Sequence, residues 1–409
     1  MKRICPILPF FLAGAILFAG CSAHEQTGSS ASSPQSSETV SSSSSSASSS
    51  ISALPAYQIA VKREELPALV VSEDFGHAKA DALVQVLIDN LENETSSYQL
   101  YPLKDGFAVK NDHRYRAYLE LDAQGALKDS WYFRTDESQT GHPPKLLADE
   151  SPVMLNRDNG DIRFYDENFQ LIKSNKIKGI DNGCAAALDA SGSRAAYVLH
   201  EQDGARKGRT VTLCKADGLD ILASYFLDDL GAYEGYIING VSFAGDSVLC
   251  LKLYGDDGLG IRTLLFDLER EEVFYESAGP VNAVALDETR ILLTNNFNQA
   301  DGGRRTEDAL VLSWQEEKIT ETPLGEAYQT VGFSLNREYA ALAACDDDQN
   351  SVTLTAMRIS DGAILWQLEL KAEDSSSVAF ASTPPVISED GKNIYYPILQ
   401  GVIYRAYLD

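Results

Sequence analysis

The chain has 409 residues, a formal net charge of −26 at pH 7, 44% hydrophobic side chains and six cysteines. A surface this acidic repels phosphate backbones and anionic lipid headgroups, which excludes nucleic-acid binding from the expectations and leaves cations as compatible partners. The composition is that of a globular chain long enough to bury a sizeable core, with no second apolar stretch long enough to span a bilayer.

In chain order, Lys2 and Arg3 precede an apolar run from Ile7 to Phe18, then Ala19 and Gly20 directly before Cys21. This is signal-peptide anatomy, and the run is shorter than the ~20 residues a stable span needs, so residues 1–20 are expected to be removed. Leu17-Phe18-Ala19-Gly20-Cys21 resembles the lipobox of bacterial lipoproteins, with Phe18 standing where leucine is usual. The resemblance implies a diacylglycerol on the Cys21 thiol, with the membrane a partner through that lipid. Loss of Lys2 and Arg3 makes the mature chain more acidic still. From Ser29 to Ser52 the chain is nearly all serine, which cannot bury enough apolar surface to offset its ordering entropy. Residues 21–53 are therefore read as a lipidated cysteine and a flexible tether, suited to a Gram-positive surface where a thick wall must be cleared.

Residues 54–409 read as one all-β domain. An early strand is expected near Ala56 to Val61. From His77 to Asn93, Ala80, Leu83, Val84, Leu87, Ile88 and Leu91 recur at helical spacing, which predicts a short amphipathic helix capping one end of the domain. Past residue 95 the apolar stretches are short, rich in Val, Ile, Tyr and Phe, and bounded by Gly, Asp or Asn, as strands are. Asn159-Gly160 and Asp361-Gly362 mark tight hairpins. A unit of strand, polar turn and strand recurs at 187–197, 242–250, 284–293, 333–342 and 386–396, and after most copies a second hairpin follows. Two hairpins make a four-stranded blade, so the fold class is a β-propeller. Weaker segments at 106–134 and 145–174 bring the count to seven blades, with eight the rival. Ser388-Glu-Asp-Gly-Lys resembles the turn of WD-repeat-like propellers of the TolB type, and Ser360-Asp-Gly-Ala-Ile-Leu-Trp366 resembles the outer hairpin of quinoprotein-like propellers. Both resemblances imply the fold and no shared activity. The last unit shows three strands, so pairing with the early strand near Ala56 to Val61 is expected to close the ring.

Catalytic signatures are missing. The five histidines (His24, His77, His113, His142 and His200) form no H-x-x-x-H pair, and the chain has neither a G-x-S-x-G elbow nor a phosphate-binding loop. Trp131, Trp314 and Trp366 lie in strand-like runs and are read as core residues, although each could stack on a sugar. Cys184, Cys214, Cys250 and Cys345 are widely spaced and expected to be buried thiols. No cofactor is expected; clusters such as Asp158 with Asp161 are read as solvated turns, with Ca²⁺ the weaker alternative. If the polar turn joins strands one and two of each blade, the loops after strand two must share the opposite face. These loops carry Asp203 and Arg206, Asp256 and Asp257, Arg304 and Arg305, and Asp346, Asp347 and Asp348; the connection with Tyr233 and Tyr236 should reach the same side. The leading expectation is a monomeric, non-enzymatic, surface-anchored propeller binding a protein or glycan through that face. The alternatives are an extracellular polysaccharide hydrolase or lyase and an envelope assembly scaffold.

Overall fold

In the computed structural model of the chain, the described residues are 59–62, 69–71, 78–88, 98–111, 115–134, 152–157, 159–166, 171–180, 185–199, 207–256, 259–295, 308–315, 318–346, 351–372, 383–397 and 402–408. Residues 1–58, on which the expected leader, lipidated Cys21 and tether fall, lie outside them.

A six-residue polar turn sets the register of the first hairpin in three of the sheets. In 189–194, 334–339 and 388–393 the first residue's N–H donates to the carbonyl of the sixth at 3.0, 2.9 and 2.9 Å. The first side chain accepts from the sixth N–H at 3.2, 3.0 and 3.0 Å. The fourth residue takes a left-handed φ: 68° at Gly192, 57° at Arg337 and 72° at Gly391. An Asp or Ser three places before a glycine is therefore the chemistry this turn needs, and Arg337 adopts it at a cost of about 1 kcal/mol.

The hairpins build seven antiparallel sheets, the blades of a seven-bladed propeller. Blades 1, 3, 4 and 5 occupy residues 98–134, 185–226, 236–277 and 281–323, each with four strands laid down in chain order. Blade 2 has three described strands, Val153–Asn156, Asp161–Tyr165 and Leu171–Lys176. Its Lys173 pairs with Asp217, and its Asn175 amide donates to the Ala216 carbonyl at 2.8 Å, both in the turn between strands three and four of blade 3. Tyr225, on the outermost strand of blade 3, meets Glu271 in the same turn of blade 4 at 3.5 Å. The shared relation identifies Leu171–Lys176 as an outermost strand.

Closure differs from the expectation. The segment expected to be a helix is the strand Ala78–Ile88, paired antiparallel with Val402–Leu408 in the register Ala406↔Ala80 and Ile403↔Val84. Ala78, Val84 and Val86 are buried while Lys79 and Asp81 are exposed, so the sheet reads the alternation within this segment and not its helical period. The early strand, Ile59–Lys62, lies one position further out as a fifth strand of blade 7. Blade 6 occupies residues 330–372, and Leu69–Val71 adds a fifth strand to it. Among the described residues the only helix is the single turn Leu227–Leu230, and no helix is long and apolar enough to cross a membrane.

Flat sheets bury both faces by stacking, so the core is a series of layers between blades. Leu249, Leu251 and Phe266 of blade 4 pack on Ala196, Val211 and Leu213 of blade 3. Phe107 of blade 1 stacks on Tyr395 of blade 7 with ring centroids 4.4 Å apart, beside Val84 and Ile403. Cys214, Cys250 and Cys345 are buried free thiols, and burial pushes the first two upward in pKa.

The buried phenols make the fold alkali-sensitive. Burial holds Tyr404 neutral to about 12. Tyr395 reaches about the same value, burial and the nearby Asp390 and Asp122 outweighing the pull of Arg405. A phenol in the unfolded chain ionises near 10, so the unfolded state loses its protons first and stability falls between pH 10 and 12. Thermal melts at pH 9 and pH 11 should show this loss, and Tyr404→Phe should reduce the difference between the two.

Candidate interaction face

Because adjacent strands run antiparallel, turns one and three of every blade emerge on one face and the remaining connections on the other. The short turns 189–193, 244–247, 288–289, 334–338 and 388–392 take the first face. The connections 199–209, 256–260, 296–309 and 347–350, with the inter-blade link 227–235, take the second. The strand ends that bracket these connections thus share a face, while residues 200–206, 257–258, 296–307 and 347–350 lie outside the described residues.

Two of their stems are hydrogen-bonded to the next blade, at Gly208 and Asn295, and two within their own, at Asp256 and Cys345. Ile238 N–H donates to the Gly208 carbonyl at 2.7 Å, Asp256 N–H to Gly235 at 2.9 Å and Asn295 N–H to Tyr328 at 2.7 Å. Within blade 6, Cys345 N–H donates to the Gln329 side-chain carbonyl at 2.6 Å, and that amide donates back to the Cys345 carbonyl at 3.2 Å. Each loop therefore starts from a fixed root.

Of the residues singled out by sequence, Asp203, Arg206, Asp257, Arg304, Arg305, Asp347 and Asp348 lie outside the described residues. Asp256 is exposed at the loop root and Asp346 half-buried at the end of its strand. Tyr233 and Tyr236 do reach this face, but their side chains are buried and their hydroxyls committed. Tyr233 OH donates to Glu276 at 3.2 Å; burial first, and the Glu276 charge second, push this phenol up to about 12. Tyr236 OH donates to the Leu259 carbonyl at 2.9 Å and accepts from Arg262 Nε at 2.8 Å, with the guanidinium 5.1 Å from the ring centroid. Both tyrosines shape the surface from beneath.

Four charged residues that the sequence does not single out, Arg209, Asp228, Arg262 and Glu276, organise this corner. Arg209 ties Asp228 to the Tyr233 and Tyr236 carbonyls, the Tyr233 bond measuring 3.2 Å. Arg262 pairs with Glu276, and these two remain 40% and 37% exposed, enough to meet a partner. Arg209 directly precedes a third strand and Arg262 is the second residue of one, a shared position near the strand start that a reading of the repeat could have used. Further round the same face Glu326 is raised in pKa by burial, then by the charges of Asp308 and Glu369. Among the described residues no group of three or more His, Cys, Asp or Glu side chains is placed to hold a metal ion.

No protein-family profile matches the chain, and no curated protein sequence matches it. Solved structures of similar shape include the hydrazine synthase of Kuenenia stuttgartiensis, 13% identical, TM-score 0.43, covering 79% of this chain and 100% of that one. The Pan2 WD40 domain of Neurospora crassa is 8% identical with TM-score 0.44, covering 78% of this chain and 91% of that one. The coronin WD40 domain of Toxoplasma gondii is 10% identical with TM-score 0.42, covering 84% and 89%.

Proposed function

We propose that this chain is a lipid-anchored, extracytoplasmic propeller that binds a protein or glycan partner through its long-connection face without catalysing a reaction. The observation that supports the reading is that the strand ends bracketing the long, charged connections open on one side of the ring and are held by backbone and side-chain hydrogen bonds. Recognition usually resides in loops held by such a scaffold. The anchor rests on the Leu17 to Cys21 stretch and the serine tether.

Two measurements test this. Cys21→Ser should abolish incorporation of labelled lipid and release the chain from the membrane fraction; retention with full labelling would refute the anchor. The full-length Cys21→Ser chain, cross-linked on intact cells, should give partner cross-links rooted near Asp256, Glu276 and Glu234. A footprint confined to the short-turn face would overturn the proposed face, and turnover of a polysaccharide by the purified chain would overturn the non-enzymatic reading.

A further inference from the structure

The three tryptophans were all read as core, and the structure separates two of them. Trp366 is 8% exposed and its indole N–H donates to the Gly391 carbonyl at 2.9 Å, so it is structural. Trp314 is half-buried, and its indole N–H meets no acceptor among the described residues. It lines a groove of about 490 Å³ on the outer rim between blades 4 and 5, on the short-turn side. That volume falls within the roughly 300–1,000 Å³ of small-molecule sites.

The groove has an aromatic wall and a polar wall. Trp314, Phe274, Val273 and Ile319 form the first, with the Phe274 and Trp314 centroids 5.6 Å apart at 50°. Asp267, Arg270 and Glu272 form the second, contributed by the turn between strands three and four of blade 4. Arg270 lies 3.8 Å from Asp267 and 3.9 Å from Glu272. Those separations are ion-pair contacts too long for hydrogen bonds, so the guanidinium keeps N–H groups to donate, and Asp267 Oδ2 and the Glu272 carboxylate keep lone pairs to accept, Asp267 Oδ1 being taken by the Glu269 and Arg270 N–H groups at 2.8 and 3.1 Å.

This inventory selects a ligand class. An anion would face two carboxylates, and a cation would face the guanidinium between them. A neutral polyol meets donors and acceptors together on the polar wall, while the C–H face of its ring can cover the indole. We infer that the groove between blades 4 and 5 binds a neutral sugar ring of a glycan, stacked on Trp314 and hydrogen-bonded by Arg270, Asp267 and Glu272. The site lies on the opposite side from the long connections and is independent of any partner there.

The test uses the full-length Cys21→Ser chain and three soluble probes: neutral hexasaccharides of glucose, of mannose and of N-acetylglucosamine. At least one should bind saturably by calorimetry and shift tryptophan emission. Trp314→Ala should weaken that binding at least tenfold, with Trp314→Phe recovering part of it. Because Trp314 also packs against the blade 4 and 5 layer, Glu272→Gln supplies a second variant that leaves the packing intact; it should weaken binding about fivefold at an unchanged melting temperature. No saturable binding of any probe at millimolar concentration would overturn the inference, as would affinity unchanged in both Trp314→Ala and Glu272→Gln. Tighter binding of a hexalysine peptide, lost in Glu272→Gln, would also overturn it by assigning the groove to cations. None of these outcomes bears on the partner of the opposite face.

Discussion

A Val84→Asp variant should lose at least about 4 kcal/mol of stability and be recovered largely unfolded. Val84 is fully buried in the layer between blades 7 and 1, among Phe107, Tyr395 and Ile403. Losing a buried valine costs about 1.5–3 kcal/mol, and an unpaired carboxylate in its place adds several more or forces protonation. Against a total of about 5–15 kcal/mol this is most of the fold. Asp81→Ala, three residues away on the same strand, removes an exposed pair with Arg405 at 3.3 Å and should cost no more than about 1 kcal/mol. Urea denaturation of the two variants tests whether Ala78–Ile88 closes the ring. Similar small losses in both would mean that it does not.

The second large effect is expected where two blades meet backbone to backbone. A Cβ added at Gly332, on the innermost strand of blade 6, would lie 1.7 Å from the carbonyl oxygen of Pro385, just before the innermost strand of blade 7. No side-chain rotation relieves a clash with a backbone atom. Gly332→Ala must therefore push two inner strands apart, and a loss of about 3 kcal/mol or more is expected, at the upper end of overpacking effects. The midpoint of urea unfolding measures it, and an unchanged midpoint would show that the inner strands can separate freely.

What could be read from the residues alone depended on how local its cause is. The turns were legible because their chemistry lies within six residues: Ser388 accepts from Asn393 N–H, and Gly391 supplies the left-handed φ. With the turns came the hairpins and the blade count. The strand Ala78–Ile88 was misread because Ala80, Val84, Leu87 and Ile88 fit a helical period while Ala78, Ala80, Ala82, Val84 and Val86 fit a strand. A partner more than 300 residues away decides between them, as the Arg405–Asp81 contact shows with a separation of 324. Tyr233 and Tyr236 looked like surface residues beside Gly231, Glu234 and Gly235, but an arginine on another strand draws each inward, through Glu276 for one and directly for the other. Trp314 shared its strand-like setting with Trp366; only the neighbouring blade's turn, with Arg270, makes its surroundings different.

The swapped closure also imposes an order in time. Ala78–Ile88 is among the first of the described strands to be synthesised, yet its hydrogen-bonding partner Val402–Leu408 follows more than 300 residues later. Until that partner arrives, an eleven-residue strand with buried-type side chains must wait with an unpaired edge. The four consecutive strands of blades 1, 3, 4, 5 and 6 can each form from contacts within about 45 residues as they emerge, whereas the fifth strand of blade 6 and the closure of the ring are late, long-range events, slow by their contact order and open to mispairing while they are pending. Interrupted synthesis therefore yields a string of blades with a sticky end at the front, and a nearly complete chain is no safer than a half-made one.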